Sequence, residues 1–454
     1  MVPDADAGSL RIETMEKLAA KCETHSELHE EWDDLDDEER IERFKQLPPA
    51  DAEEFFREIG SEDEARLIAE LPEREQRLWI RVLDPDDVAD LIQELPENKR
   101  EGVLGLLDAT THFEVTALLA YKEDVAGGLM SPRYARIRSD MTVQESLAYL
   151  RHQAMEQLET IYYVYVLDPE QRLLGQVSLR KLLAAAPDRR IEEVMRKSLI
   201  TVQEDSDQEE ISRVFAEHNL MAIPVVDSEN RMKGIVTVDD IVDVVEEEAT
   251  EDIQKMGGTE ALQQKYLQIN LWLMLRKRAG WLMILFVGEM LTASAMGYFE
   301  KEIANAVVLA LFLPLIISSG GNAGSQASTL VIRAMALDEV RLRDWFRVLR
   351  REFVTGSGLG LLLGTIGLLR ILIWQGVFHS YGEHYILVAL TVMGSVIGVV
   401  LWGSLVGSIL PFVLRAAKFD PASASTPFVA TLVDVTGVII YFEVARCILK
   451  GTLL

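Results

Sequence analysis

The 454-residue chain has only two cysteines, Cys22 and Cys447, which lie near its opposite ends. So few cysteines exclude a secreted disulfide framework, and their spacing excludes a CxxC metal or redox motif. Basic residues are also scarce: 45 stand against 73 acidic ones, and the formal net charge is −28. Such a chain is not a general nucleic-acid binder, because it cannot neutralise phosphates. We find no Ser-His-Asp, Cys-His, zinc or P-loop pattern, and we predict no enzyme.

The acidic residues are concentrated in the first part of the chain. Residues 1–270 carry 62 acidic and 30 basic side chains, whereas residues 271–454 carry 11 and 15. The N-terminus is polar and lacks the apolar core of a secretory signal peptide. We therefore expect an acidic front half in the cytoplasm, joined to an apolar rear half.

The rear half contains five apolar segments, each about as long as the ~20 residues that a membrane-spanning helix needs. They cover residues 279–298, 303–332, 353–378, 385–414 and 423–449. Arginines and lysines are concentrated before the first segment, between the second and third, and between the fourth and fifth. Because positive residues stay inside, the sequence predicts cytoplasmic N-terminal domains and a C-terminus outside.

Glycine pairs at four-residue spacing recur in these segments and predict close helix contacts. The pairs are Gly360 with Gly364, Gly394 with Gly398, and Gly403 with Gly407. The second segment also contains the polar, glycine-rich stretch at 320–326. An irregular backbone there cannot face lipid, so we expect this stretch either to line water or to form a helix contact through its polar side chains.

Two carboxylates, Asp434 and Glu289, lie near the middle of apolar segments. Asp434 is the more informative, because a carboxylate at such depth costs at least ~2.5–3.5 kcal/mol and usually marks an ion path. The alternative is an internal partner such as Asn322 or Thr436. Glu289 fits a proton carrier, a pore residue or a packing group equally well.

The soluble half contains an internal repeat of about 65 residues. Met130-Ser131 begins one copy and Met195-Arg196 the next, and Gly175 corresponds to Gly234. Each copy is predicted to be a β-α-β-β-α unit, and two such units bury their sheets together. The pair resembles a tandem CBS domain over residues 130–248.

Before this repeat, residues 32–125 are predicted to be helical. Leu-Pro pairs recur every 24 residues, at 47–48, 71–72 and 95–96. Prolines at this spacing favour short helices stacked as a superhelix. Asp86 and Asp90 are four residues apart and therefore neighbours on one helix face.

Residues 238–266 lead from the repeat to the membrane and are predicted to form a helix with an acidic stripe. At ~100° per residue, Asp240, Glu248 and Glu251 share one side of that helix. Like charges at this spacing destabilise a helix. Either a divalent cation, for which hard oxygen ligands suit Mg²⁺ or Ca²⁺, or a basic partner would relieve the repulsion.

Taken together, these features resemble the MgtE magnesium channels over residues 30–454. The resemblance is carried by the CBS pair, by 248–253, by Gly320-Gly321-Asn322 and by 430–437 followed by Tyr441. It implies a multidomain membrane protein: an all-α superhelical N domain at 1–129, a tandem α+β CBS pair at 130–245, a connecting plug helix at 246–275 and a five-helix transmembrane domain at 276–454.

The resemblance also implies Mg²⁺ ligands. Asp434 and the carbonyl of Ala430 correspond to the pore site, with Asn322, Ser325 and Thr426 as further pore-lining candidates. The regulatory Mg²⁺ sites of the family correspond to a larger set of acids in this chain. One ligand position of the family lacks a carboxylate here, because the residue is Asn219. That set is Glu54, Asp86, Asp90, Glu209, Asp240, Glu248, Glu251, Asp252 and Asp420.

CBS pairs often bind adenine nucleotides. In the second copy Thr237 and Asp240 fit that pattern, whereas the first copy has Lys181 where the pattern has an aspartate. Tyr163 and Arg180 remain candidates for contacts to ATP.

The implied function is Mg²⁺ uptake through a homodimeric channel in the bacterial inner membrane, in contact with lipid and closed by cytoplasmic Mg²⁺. The alternatives are an ion-coupled divalent cation transporter and a membrane-anchored nucleotide sensor. The sequence does not distinguish Mg²⁺ from Mn²⁺, Co²⁺ or Ca²⁺.

Overall fold

The computed structural model describes residues 25–153, 158–262, 266, 269–379 and 381–453. Residues 1–24 of the predicted N domain, and 263–265 and 267–268 of the predicted connecting segment, lie outside the described residues. The chain divides into two compact units, Met1–Val245 and Glu246–Leu454. Each unit is described by itself.

The first unit begins with short helices whose starts follow the prolines. Pro48, Pro72 and Pro96 each occupy the N-cap of a helix, and Pro85 is the first residue of another. A helix start tolerates proline because its N–H would have no helical partner there. The predicted helical N domain is confirmed. Its helices are His25–Glu31, Asp37–Phe44, Pro49–Glu58, Ser61–Glu70, Glu73–Trp79, Pro85–Glu94, Glu97–Leu104 and Ala109–Leu118, with a 3₁₀ turn at Trp32–Asp34.

The predicted β-α-β-β-α repeat is also confirmed. β1 (Tyr134–Arg138), β2 (Thr160–Leu167) and β3 (Leu173–Ser178) form one sheet, and β4 (Val202–Gln203), β5 (Ala222–Val226) and β6 (Met232–Thr237) form the other. In each sheet the first two strands are parallel and the last two antiparallel. The helices that complete the copies are Ala126–Leu129, Val143–Gln153, Leu179–Ala184, Ile191–Val194, Gln208–His218 and Val238–Met256.

The helix Val238–Met256, called the linker helix below, is shorter than predicted. It ends before Gly257, and Gly258 takes a left-handed conformation with φ of 77°. Only a residue without Cβ adopts that conformation easily. A Cβ at Gly258 would also lie 2.8 Å from the Trp281 ring. The acids of the predicted stripe nevertheless all lie within this helix.

The described residues of the second unit include five helices long and apolar enough to cross a membrane, as predicted. The second span is interrupted near its start: short helices at Glu300–Asn305 and Val307–Ala310 precede its main helix. The five main helices are named spans 1 to 5, and their bounds are Leu271–Tyr298, Leu313–Ala336, Trp345–Phe378, Tyr385–Ala416 and Thr426–Leu449. Two 3₁₀ turns lie at Leu342–Asp344 and Pro421–Ser423.

The glycine-rich stretch at 320–326 is a regular part of span 2, so no irregular backbone occurs there. Its glycines instead allow contact with span 4. A Cβ at Gly403 would lie 2.2 Å from the carbonyl oxygen of Gly320, and one at Gly407 would lie 2.0 Å from that of Gly324. Helix backbones meet directly at both points, and any side chain would force them apart.

The other two glycine pairs also face neighbouring helices. A Cβ at Gly360 would lie 2.9 Å from the Ile397 backbone of span 4, and a Cβ at Gly398 would lie 3.2 Å from Ile440 of span 5. Spans 2, 3 and 5 thus all pack on span 4, which positions the polar residues of span 2 beside span 5.

This packing predicts the effect of Gly407→Ala. The added methyl group overlaps the Gly324 carbonyl, and overpacking of this kind costs about 1–3 kcal/mol. We expect a lower thermal unfolding midpoint in detergent. Gly376→Ala in span 3 is the control, because nothing lies within 4 Å of its Cβ position. Equal midpoints for the two variants would contradict the packing argument.

Candidate ion sites

Asp434 lies near the middle of span 5 and is partly exposed. Its carboxyl group contacts that of Glu289 in span 1, so the partner is neither Asn322 nor Thr436. The hydroxyl of Thr436 accepts a hydrogen bond from Trp402 Nε1 at 2.8 Å. The structure therefore brings together the two acids that the apolar segments contain at depth.

Small residues make this contact possible. A Cβ at Gly288 would lie 2.8 Å from the Thr431 side chain, so span 1 approaches span 5 one turn before Asp434. On the other side, a Cβ at Gly321 would lie 3.5 Å from that of Ala430 and 3.8 Å from Asp434 Oδ1. Asp434 and Ala430 therefore lie where spans 1, 2 and 5 converge.

Span 2 carries an exposed polar row beside this point. Ser318, Asn322 and Gln326 are each four residues apart and exposed. Asn322 Nδ2 donates to Ser318 Oγ at 3.5 Å, and Ser325 Oγ donates to the carbonyl of Thr426 at 3.3 Å. The predicted pore-lining residues are therefore neighbours on spans 2 and 5.

A lysine occupies the position expected for a cation at the end of the linker helix. Lys255 Nζ donates to Asp420 Oδ2 at 2.7 Å and also pairs with Glu251. Desolvation lowers the pKa of Lys255, but the bonds to both carboxylates outweigh it and raise the pKa above its ordinary value. Two predicted Mg²⁺ ligands thus share a resident ammonium group.

In the first unit, Asp86, Glu159 and Asp240 form a group of mutually repelling acids, called the acid group below. Desolvation is the largest cause that raises the pKa of Glu159 to about 8 and the pKa of Asp86 above its usual range. Repulsion by nearby acids is the next cause for both. Desolvation raises the pKa of Asp240 to about 7, against hydrogen bonds from Thr237 that lower it.

Asp86 is the innermost member of the acid group. It is 6% exposed, and among the described residues its Oδ1 atom is buried without a hydrogen-bond partner. A buried polar atom without a partner is costly, and a cation or its bound water would satisfy it. A second acidic neighbourhood lies nearby on the N domain, where burial, Asp87 and Asp90 raise the pKa of Glu64 to about 9.

Other predicted ligands are not in these groups. Glu54 is exposed on the helix Pro49–Glu58. Glu209 is exposed and pairs with Arg213 on its own helix at 3.1 Å. Glu248 and Asp252 are half-buried on the linker helix, in the second unit.

In the described ranges, no three His, Cys, Asp or Glu side chains lie close enough together to hold a metal ion. Mg²⁺ often keeps several waters and uses only one or two carboxylates. A site for the hydrated ion therefore does not require such a triad.

The nucleotide candidates lie together in the first CBS copy. Tyr163 of β2 is paired with Ser178 of β3, two residues before Arg180. Ser178 Oγ accepts from the backbone N–H of Lys181 at 3.3 Å. In the second copy, Asp240 accepts from the Thr237 hydroxyl at 2.7 Å and belongs to the acid group.

Sequence reasoning missed three of these partners. Glu159 was overlooked because no motif contains it, and a lone acid before a strand carries no signal. Lys255 lies four residues after Glu251, and this spacing does predict an ion pair on a helix. The pairing of Glu289 with Asp434 joins residues 145 positions apart, and only the fold reveals it.

Family models match most of the chain. The MgtE intracellular N domain matches residues 24–124, CBS domains match 124–188 and 191–247, and the MgtE divalent cation transporter model matches 313–444. A solved structure, the cytosolic domain of the Mg²⁺ channel MgtE in complex with ATP, is 40% identical. It covers 50% of this chain and 92% of its own, with a TM-score of 0.47.

Two curated relatives span most of the chain. The magnesium transporter MgtE of Thermus thermophilus is 45% identical over 353 residues, which are 76% of this chain and 75% of the relative. That of Enterococcus faecalis is 32% identical and covers 74% of this chain and 72% of its own. The matched models describe a divalent cation transporter, an intracellular N domain and CBS domains, not an enzyme. The chain belongs to the MgtE family of divalent cation transporters.

Proposed function

We propose that this chain is a Mg²⁺-selective channel that mediates magnesium uptake across a bacterial inner membrane. The observation that carries the proposal is Asp434, a partly exposed carboxylate near the middle of a membrane span, beside Ala430 and Gly321. A charge at that depth requires water or an ion. The magnesium transporters to which the chain is similar support Mg²⁺ as the substrate.

The exposed polar row of span 2 supports a homodimer. Ser318, Asn322 and Gln326 would face lipid in a single copy, where polar groups are unfavourable. A second copy packed on this face would shelter the row and bring two Asp434 side chains to one axis. Asn322, Ser325 and Thr426 would then line the path.

A hydrated ion fits such a path. Mg²⁺ loses its water reluctantly, so a pore that holds it by carboxylates and backbone carbonyls need not strip its shell. Asp434 would supply the charge and Ala430 a carbonyl. Small residues at Gly321 and Ala430 leave room for the bound waters.

We further propose that cytoplasmic Mg²⁺ closes the channel. The acid group, with the buried Oδ1 of Asp86, is a place where a divalent cation would relieve both repulsion and an unsatisfied atom. Glu248, Glu251, Asp252 and Asp420 of the second unit would form a regulatory site near the membrane. In the first unit, Glu54, Asp90 and Glu209 are further candidate ligands. Closure follows if Mg²⁺ binds the closed state more tightly than the open one.

The proposed division of labour follows the predicted boundaries: an N domain at 1–129, the CBS pair at 130–245, a plug segment at 246–275 and the pore at 276–454. Loop arginines favour cytoplasmic N-terminal domains and an external C-terminus. ATP binding near Tyr163 and Arg180 would be a second input to the same CBS pair.

An ion-coupled transporter is the second candidate, because Glu289 in contact with Asp434 is also an arrangement that a coupled carrier uses. The two functions differ in stoichiometry. A fixed ratio of H⁺ or Na⁺ to Mg²⁺ flux would show a carrier, and single-channel currents would show a channel.

The pore assignment predicts that Asp434→Asn nearly abolishes Mg²⁺ flux. The amide keeps the shape of the side chain but removes the charge that attracts a divalent cation. The measurement is Mg²⁺ uptake into proteoliposomes with equal protein incorporation. Glu443→Gln, an exposed acid of the same span, is the control. Near-normal uptake by Asp434→Asn would exclude Asp434 as the ion site.

The gating assignment predicts that Asp240→Asn, Glu248→Gln and Glu251→Gln together yield a channel that conducts but resists closure. If Mg²⁺ binding favours closure by a typical coupling of ~1–3 kcal/mol, its loss should raise the open probability at high Mg²⁺ several-fold. Patch recording with varied cytoplasmic Mg²⁺ measures this. A control with three exposed CBS acids neutralised, Glu170→Gln, Asp188→Asn and Glu192→Gln, should close normally. Equal Mg²⁺ inhibition of both variants would refute the assignment.

The raised pKa values predict how pH affects the first unit. Asp240 and Glu159 have folded-state pKa values of about 7 and about 8, above ordinary values near 4. Their contribution to stability is therefore fully present below about pH 4 and is lost as pH rises through 7 to 8.

In EDTA we expect proteolysis of residues 25–245 in the detergent-solubilised chain to be faster at pH 8.5 than at pH 6. Millimolar Mg²⁺ should remove the difference, and the Asp240→Asn, Glu159→Gln double variant should lack it. A pH-independent rate in the wild-type chain contradicts this.

A further inference from the structure

Span 1 presents one face to span 5. Leu285, Gly288, Glu289 and Thr292 follow the spacing of three and four residues that places side chains on one side of a helix. Leu285 is buried, and Gly288 lies against Thr431. Among the described residues, Thr292 Oγ1 is buried without a hydrogen-bond partner. Glu289 therefore lies on the side of span 1 that packs against span 5, next to the proposed ion site.

Glu289 is also deep in the membrane. It lies nine residues before the end of span 1, which at 1.5 Å per residue is about 13 Å along the helix. This depth is near the middle of a ~30 Å hydrocarbon core. The side chain is nevertheless exposed in a single copy and contacts Asp434. A carboxylate so placed is stable only beside water, a cation or another chain.

Among the described residues, no lysine or arginine forms an ion pair with Glu289 or Asp434, in contrast to the Lys255 site. One arginine of span 3 and one of span 5 are engaged elsewhere. Arg370 donates to the Tyr381 hydroxyl at 3.2 Å and lies over the Trp374 ring, and Arg446 donates to Glu302 at 2.7 Å. Neither arginine therefore pairs with Glu289 or Asp434, and the positive charge that this pair needs comes from a shared proton or from a mobile cation.

We propose that Glu289 is a second carboxylate of the ion path and that it sets the preference for divalent over monovalent cations. The inference rests on the proposed function, in which Asp434 holds the permeating ion. Two adjacent carboxylates attract a doubly charged ion far more than a singly charged one, because the Coulomb energy scales with the product of the charges. In a dimer the path would hold four such groups instead of two.

The test measures uptake in proteoliposomes, with half-saturation by Mg²⁺ and competition by Na⁺ as the two readouts. Glu289→Gln should still transport Mg²⁺, with half-saturation raised about tenfold, the lower range for losing a group beside a metal ligand. Na⁺ should compete more effectively than in the wild type. Glu443→Gln is the matched control and should leave both readouts unchanged.

Glu289→Asp separates charge from packing. The aspartate keeps the charge one methylene further back, so it should retain most of the preference for Mg²⁺ over Na⁺. An equal defect in Glu289→Asp, which keeps the charge, and in Glu289→Gln, which removes it, would show that the charge does not set the preference, and would overturn the inference. Wild-type half-saturation and competition in Glu289→Gln would overturn it as well.

Asp434→Asn, measured in parallel, separates this inference from the proposed function. If Asp434→Asn is inactive and Glu289→Gln behaves as wild type, only the role of Glu289 fails. If Asp434→Asn transports normally, the ion site itself is wrong, and the inference fails with it.

Discussion

The free-energy cost of carboxylate charge where water is scarce shapes both units of this protein. In the first unit it keeps the pKa values of Asp86, Glu159 and Asp240 high, and it leaves a buried oxygen of Asp86 unsatisfied. In the second it acts on Asp434 and Glu289 inside the membrane spans. A divalent cation is the simplest relief in both places, because a single ion opposes two negative charges. The same chemistry thus supports both a permeating ion and a sensed ion.

Glycine contacts between the spans hold together the helices of the proposed ion site. Gly403 and Gly407 let spans 2 and 4 meet backbone to backbone, and Gly288 lets span 1 approach span 5. Without these contacts, Asp434 would have no neighbours of fixed geometry. The glycines therefore contribute to function indirectly, since they hold three helices close enough for small polar and acidic groups to converge.

The repulsion between carboxylates is opposed in different ways at the two ends of the linker helix. Asp240, at its start, belongs to the acid group, and hydrogen bonds from Thr237 oppose the cost of its burial. Glu251, near its end, shares the ammonium group of Lys255 with Asp420. A cation arriving at the second place must compete with a tethered lysine, whereas at the first it must displace the protons that the raised pKa values retain. Sensitivity to Mg²⁺ would therefore differ along one helix.

The sequence by itself determined the family architecture. Proline spacing located the helix starts of the N domain, the repeat predicted both CBS sheets, and apolar length predicted five spans. These features depend on local preference and periodicity, which neighbouring residues determine. The tertiary structure alone decided that Glu289 meets Asp434, that Glu159 joins Asp86, and that 320–326 is regular helix packed on Gly403. Such contacts join residues far apart in the chain, and their geometry depends on how whole helices pack, which no local pattern encodes.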